Sequence, residues 1–228
     1  MKLVKAFIRN SIKAYVYFRE HTLCSILNLI NFYLNDVEYL NFPITKGIIH
    51  INNKGKIKIG KNVYIISGTI HNPVGGSQCH LLTKTKANIL IGDGAKLSNV
   101  MIYAFESVEI GKDVLLGGGC KIYDSDFHSL VLEERLEQID SHIKSKPVKV
   151  CDSAFIGSQS IILKGVTIGK KSIVGAGSVV TKSIPSGEIW AGNPAKYIKK
   201  YLGLRPFWIR CFSRKPVKGV FQTRYISN

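Results

Sequence analysis

Acidic side chains are scarce in this chain: 15 Asp and Glu stand against 32 Lys and Arg in 228 residues, a formal charge of +17. With so few acids the positive charge has no internal counterweight, and an anionic partner must supply it. A polyphosphate cofactor, an anionic membrane surface and nucleic acid all qualify, and charge alone does not choose among them. Paired cysteines are also missing. Cys24, Cys79, Cys120, Cys151 and Cys211 lie far apart, which excludes the close spacings of zinc sites and redox motifs and reads as reduced thiols of a cytoplasmic protein. Long apolar runs are missing as well. The stretch from His21 to Asn35 carries no Asp, Glu, Lys or Arg, yet it is short for a bilayer and contains Asn28 and Asn31, so it is not expected to span one. Lys2, Lys5, Arg9 and Lys13 are not followed by an apolar core with a small-residue cleavage site, and no signal peptide is expected.

What the chain does have is a beat. Val150, Ile156, Ile162, Ile168, Val174 and Val180 recur every sixth residue, often followed by glycine (Gly157, Gly169, Gly175). Four positions on comes a small residue: Ala154, Ser160, Ser172 and Ser178, with Val166 the larger exception. A helix would smear this period around its circumference, whereas short strands joined by tight turns put every sixth side chain on one inward line. The pattern predicts a mainly β solenoid. It recurs in Ile110, Leu116 and Ile122, in Ile91 and Leu97, and in Ile59 and Ile65. The register breaks across 71–88 and across 123–147, predicted as loops thrown out of the coils.

The stretch from Phe155 to Lys200, with "FIGS", "VGAGS", "VVTK" and "AGNPAKYIKK", resembles the end of the left-handed parallel β-helix of the hexapeptide-repeat acyltransferases. It is similar to the branch of galactoside, maltose and polysaccharide O-acetyltransferases, and the resemblance covers about residues 50–200. It implies a triangular prism with about three hexads per coil, an exception to the usual handedness of parallel crossovers. It also implies homotrimers with active sites between adjacent prisms. The chain divides accordingly into a helical basic segment (1–45), the β-helix (46–200) and a C-terminal extension (201–228).

The second interruption contains "YDSDFHSL", Tyr123 to Leu130. In the family a histidine in such a loop is the general base, and His128 matches it. A sugar hydroxyl attacks a thioester poorly until its proton is being removed, and imidazole has a pKa suited to accepting it. Asp124 or Asp126 would orient the ring, and both share a face with His128 if the segment is extended. His142 lacks the motif and is expected to be exposed. The γ-type carbonic anhydrases share the solenoid and bind zinc through histidines, but His50, His71, His80, His128 and His142 lack their close spacing, so no metal is expected.

For the donor, acetyl-CoA, Gly157, Ser158, Ala176 and Gly177 leave little bulk in the way of a pantetheine arm. The resemblance implies that Ser158, Ala176, Thr181 and Lys182 contact CoA, with Lys182, Lys196 and Lys199 available to its phosphates. Relatives often carry arginine at the last two positions, so lysine keeps the charge and loses the bidentate geometry. No base stands beside Ser160, Ser172 or Ser178, so direct attack in a ternary complex is expected rather than an acyl-enzyme.

The ends differ from the middle. Val4, Ile8, Ile12 and Tyr15 fall on one helical stripe and Lys2, Lys5, Arg9 and Lys13 on another, a pattern that fits either a cap on the prism or an anionic membrane surface. After Glu188 there are nine Lys or Arg and no acid; the interleaved aromatics also fit nucleic acid, which ranks last because no nucleic-acid fold motif accompanies them. The reading is an acetyl-CoA-dependent O-acetyltransferase of a sugar or glycan hydroxyl in surface polysaccharide assembly. An N-acetyltransferase of an amino sugar or antibiotic and a non-enzymatic trimeric scaffold are the alternatives.

Overall fold

The computed structural model describes residues 2–76, 78–137 and 142–201. Helix α1 (Lys2–Tyr17), a π-helical turn (Phe18–Leu23) and helix α2 (Cys24–Leu34) lead into short strands that wind into three parallel sheets, the faces of a left-handed parallel β-helix. In the uninterrupted part, one coil is Val148–Val150, Phe155–Ile156 and Ile161–Ile162, and the next is Thr167–Ile168, Ile173–Val174 and Val179–Val180. These three successive strands define faces one, two and three.

The hexad works because it supplies both a core and a corner. Ile59, Ile91, Ile110, Val150 and Ile168 are cross-coil partners up face one. Ile65, Leu97, Leu116, Ile156 and Val174 climb face two. Leu81, Ile102, Ile122, Ile162 and Val180 climb face three. All are buried, so each coil seals the next. The bends between faces come from residues with positive φ at the same period: Ser153, Gln159, Gly165, Lys171 and Gly177, at 58° to 75°. One left-handed residue per hexad turns the chain onto the next face. The small inward residues close the corners: Ser160 and Ser178 donate their hydroxyls to the Gly175 carbonyl and Ser172 to that of Pro185. Cys79 and Cys120 fill equivalent buried positions, and burial pushes their thiols up to about 12 and about 11.

Two boundaries move. The first coil opens at Glu38–Tyr39 and Ile44–Lys46, ahead of the boundary expected at 46. His80–Thr83, expected inside the first interruption, is a strand of face three paired with His50–Asn53. The insertion therefore ends at Cys79.

The open end of the prism is closed by α2. Phe32 is fully buried against Tyr39 and Phe42. Asn28, also fully buried, donates from Nδ2 to the Gly47 carbonyl at 2.9 Å and accepts the Ile49 N–H at 3.0 Å, while Asn31 donates to the Ile49 carbonyl at 2.8 Å. These amides satisfy a strand edge that no further coil covers. Gly47 has φ +72°, and a Cβ there would stand 1.8 Å from the Ser67 carbonyl oxygen. Only glycine fits that position. The cap is α2, not α1, whose apolar stripe of Val4, Ile8, Ile12 and Tyr15 stays 51–64% exposed. At the far end Glu188–Gly192 joins face two in parallel and Ala195–Lys200 folds back on it antiparallel. The extension expected at 201–228 lies outside the described residues apart from Tyr201.

Candidate active site

The loop bearing His128 leaves at the end of face three and returns to face one. Its root is fixed by backbone bonds from Lys146 N–H to the Asp124 carbonyl (2.8 Å) and Asp126 N–H to the Lys144 carbonyl (3.1 Å). Asp124 is fully buried; one carboxylate oxygen accepts the Phe105 N–H, and the other accepts those of Glu106 and Ser107, all at 2.7–2.8 Å. Burial pushes this carboxyl up and the three amides pull against that rise. Asp126 pairs instead with Lys164 of the next coil.

The extended arrangement expected for this segment is not what the chain adopts. The strand ends at Tyr123 and Phe127 takes φ +64°, so Asp124 is buried, Asp126 half-buried and His128 exposed. The three do not share a face, and no hydrogen bond joins His128 to either aspartate among the described residues. Asp124 is a structural carboxylate here. Left-handed backbone is costly for a bulky residue, and packing offsets the cost: the Phe127 ring lies 5.0–5.6 Å from those of Tyr103, Phe105 and Tyr123. That aromatic floor turns the following residue outward. His142 is 70% exposed at its side chain and pairs with Glu134.

The donor residues lie on the opposite edge of face three. Gly157 and Ser158 form the turn from face two to face three, with Ala176 and Gly177 in the same turn one coil on. The coils touch through backbone there: a Cβ on Gly157 would stand 2.5 Å from the Ala176 nitrogen, and Gly177 N–H donates to the Ser158 carbonyl at 2.8 Å. Ala176 and Gly177 are exposed, leaving a smooth edge that suits a thin amide-bearing arm. Thr181 and Lys182 sit past the other edge, after Val179–Val180, and Lys196 and Lys199 stand exposed on the terminal hairpin. Within one chain, then, the structure groups Gly157, Ser158, Ala176 and Gly177 but sets His128 and Lys182 across face three from them. The width of that face, a three-residue strand, is roughly 10 Å.

The sequence reading missed the triple glycine Gly117–Gly119. The first insertion runs up the donor edge and lies against it: a Cβ on Gly118 would meet the Val74 carbonyl oxygen at 2.0 Å, and one on Gly75 the Gly119 nitrogen at 2.4 Å. Asn72 secures the path, donating to Ser98 Oγ at 2.6 Å while its carbonyl accepts from Asn99 at 2.8 Å. Three consecutive glycines were the available signal. A separate groove of about 690 Å³ lies along face one, lined by Lys58, Leu90, Glu109, Lys149 and Asp152, and holds none of the expected residues. Its charges are internally paired, as in Lys58–Glu38 (2.9 Å) and Lys170–Asp152 (3.2 Å). Among the described residues no group of His, Cys, Asp and Glu could hold a metal ion.

Comparison with known proteins bears on the repeat and the fold. Residues 147–182 match the bacterial transferase hexapeptide family, described as six repeats. WbbJ of Escherichia coli K12, assigned as a lipopolysaccharide biosynthesis O-acetyl transferase, is 28% identical over 197 residues, 83% of this chain and 95% of its own length. The chain resembles the hexapeptide-repeat acyltransferases. Among solved structures, the hexapeptide-repeat acetyltransferase VCA0836 of Vibrio cholerae, complexed with acetyl-CoA, is 29% identical with a TM-score of 0.47, covering 54% of this chain and 65% of its own. The N-acyltransferase AntD of Bacillus cereus, in complex with dTDP-4-amino-4,6-dideoxyglucose and coenzyme A, is 21% identical with a TM-score of 0.51, covering 75% of this chain and 88% of its own. AntD shares the fold. This chain offers an exposed imidazole on one edge of face three and, one coil beyond the first insertion, a backbone edge of small residues on the other.

Proposed function

We propose that the protein is an acetyl-CoA-dependent O-acetyltransferase that acylates a sugar hydroxyl in surface polysaccharide assembly. The observation that carries this is the likeness to WbbJ across 95% of that protein's length. His128 acts as the base: a ring nitrogen takes the hydroxyl proton as the sugar oxygen bonds to the thioester carbonyl, and the proton then passes to the departing thiolate. Gly157, Ser158, Ala176 and Gly177 line the pantetheine arm, Thr181 contributes from the opposite edge of face three, and Lys182, Lys196 and Lys199 meet the phosphates. With the two edges of face three some 10 Å apart, a second copy completes the site, the His128 edge of one prism meeting the donor edge of its neighbour in a homotrimer. Asp126, tied to Lys164, steadies the loop.

His128→Ala tests the reading. Turnover of acetyl-CoA with a sugar acceptor should fall about a hundredfold to ten-thousandfold with CoA affinity unchanged; near-normal turnover removes His128 from the role. AntD, an N-acyltransferase on the same fold, motivates the second reading, in which the acceptor is an amino sugar. Products from paired hydroxyl and amino acceptors separate the two, and absence of any transfer leaves the scaffold reading.

A further inference from the structure

We infer that α1 is an anchor that lays the protein on an anionic lipid surface. At about 100° per residue, Val4, Phe7, Ile8, Ser11, Ile12 and Tyr15 occupy one half of the α1 circumference. Lys2, Lys5, Arg9 and Lys13 fall within an arc of about 80° on the other. The apolar half is not used by the fold: Phe7 is 74% exposed and Ile12 57%. Its principal contact is the π-helical turn that follows it, while the prism is already closed by α2. The exposed apolar surface continues along α2 through Ile30 (49%) and Leu34 (71%).

Charge decides what covers this face. No acidic residue occurs before Glu20, and Lys5 and Arg9 are exposed. Bundling α1 helices from several copies would bring like charges together with no acid on the helix to offset them, whereas anionic headgroups supply the missing counter-charge while acyl chains take up the apolar half. Among the described residues no helix is long and apolar enough to cross a membrane, so α1 lies in the interface plane. Vesicle binding involves no acyl transfer and is read separately from turnover.

The test is co-sedimentation of the intact protein with phosphatidylcholine vesicles and with vesicles that also contain phosphatidylglycerol. Binding should require the anionic lipid and weaken with added salt. Replacing Lys2, Lys5, Arg9 and Lys13 with Gln should lower partitioning about a hundredfold to a thousandfold. Phe7→Glu with Ile12→Glu should abolish binding while the melting temperature and native mass stay unchanged. Equal binding to both vesicle types, no binding, or undiminished binding by either variant overturns the inference. So does a change of native mass in the Phe7→Glu, Ile12→Glu variant, which would mean that a second copy covers the face.

Discussion

Three amide hydrogens converge on the carboxylate of Asp124, from Phe105, Glu106 and Ser107. An isosteric amide cannot replace it, because its Nδ2 would face donors and leave at least one buried N–H without an acceptor. Asp124→Asn should therefore cost about 1.5–3 kcal/mol of stability, read as a lower denaturation midpoint, while molecules still folded keep their turnover. A large loss of turnover with unchanged stability would return Asp124 to the chemistry. The sequence placed a carboxylate pair near His128 but not their division of labour. That division depends on Phe127 entering left-handed backbone to reach Tyr123 of its own coil and Tyr103 and Phe105 of the coil below.

Among the elements, α2 has most to lose from a single change. Asn28→Ala leaves the Ile49 N–H and the Gly47 carbonyl unpaired at the mouth of the core, and should cost about 2–4 kcal/mol in chemical denaturation. Asn31→Ala removes two bonds at a partly buried site, one to the Ile49 carbonyl and one from Asn35 Nδ2, and should cost about 1–2 kcal/mol. Comparable effects from both would mean that the two amides do not differ as their burial implies. The strands were legible because Val150 to Val180 keep phase without a miss, and phase is all a stacked core requires. Two things were not legible. The left-handed corners are held by Ser, Gln, Gly and Lys, residues with no common chemistry, because the turn follows from backbone closure. His80–Thr83 re-enters face three only after an insertion has erased the count, and its register comes from pairing with His50–Asn53. The amides of Asn28 and Asn31 argued against a membrane span, but their partners lie 18 to 21 residues away, beyond any local pattern.

At the scale of the molecule, both halves of the candidate site lie along face three, the donor turns at one edge and the His128 loop at the other, while face one pairs its charges with each other, Lys58 and Lys56 holding the Glu38 carboxyl below its ordinary range. The two ends of the prism bear on a different question. A parallel stack in which every coil offers the next the same edge is a polymerisation template, and a solenoid stays one molecule long only if growth is terminated at both ends. α2 terminates one end with side-chain amides. At the other, Ala195–Lys200 reverses strand direction and sets Lys196, Lys199 and Lys200, all exposed, along the outermost strand. Lysines on an edge strand keep a second chain from pairing there. Replacing all three with threonine should produce end-to-end filaments visible by electron microscopy, growing faster at higher salt where the remaining charge is screened. If the variant stays dispersed and merely binds CoA less well, the lysines serve the phosphates alone. Filaments with CoA affinity intact would mean that these cations chiefly set the length of the molecule.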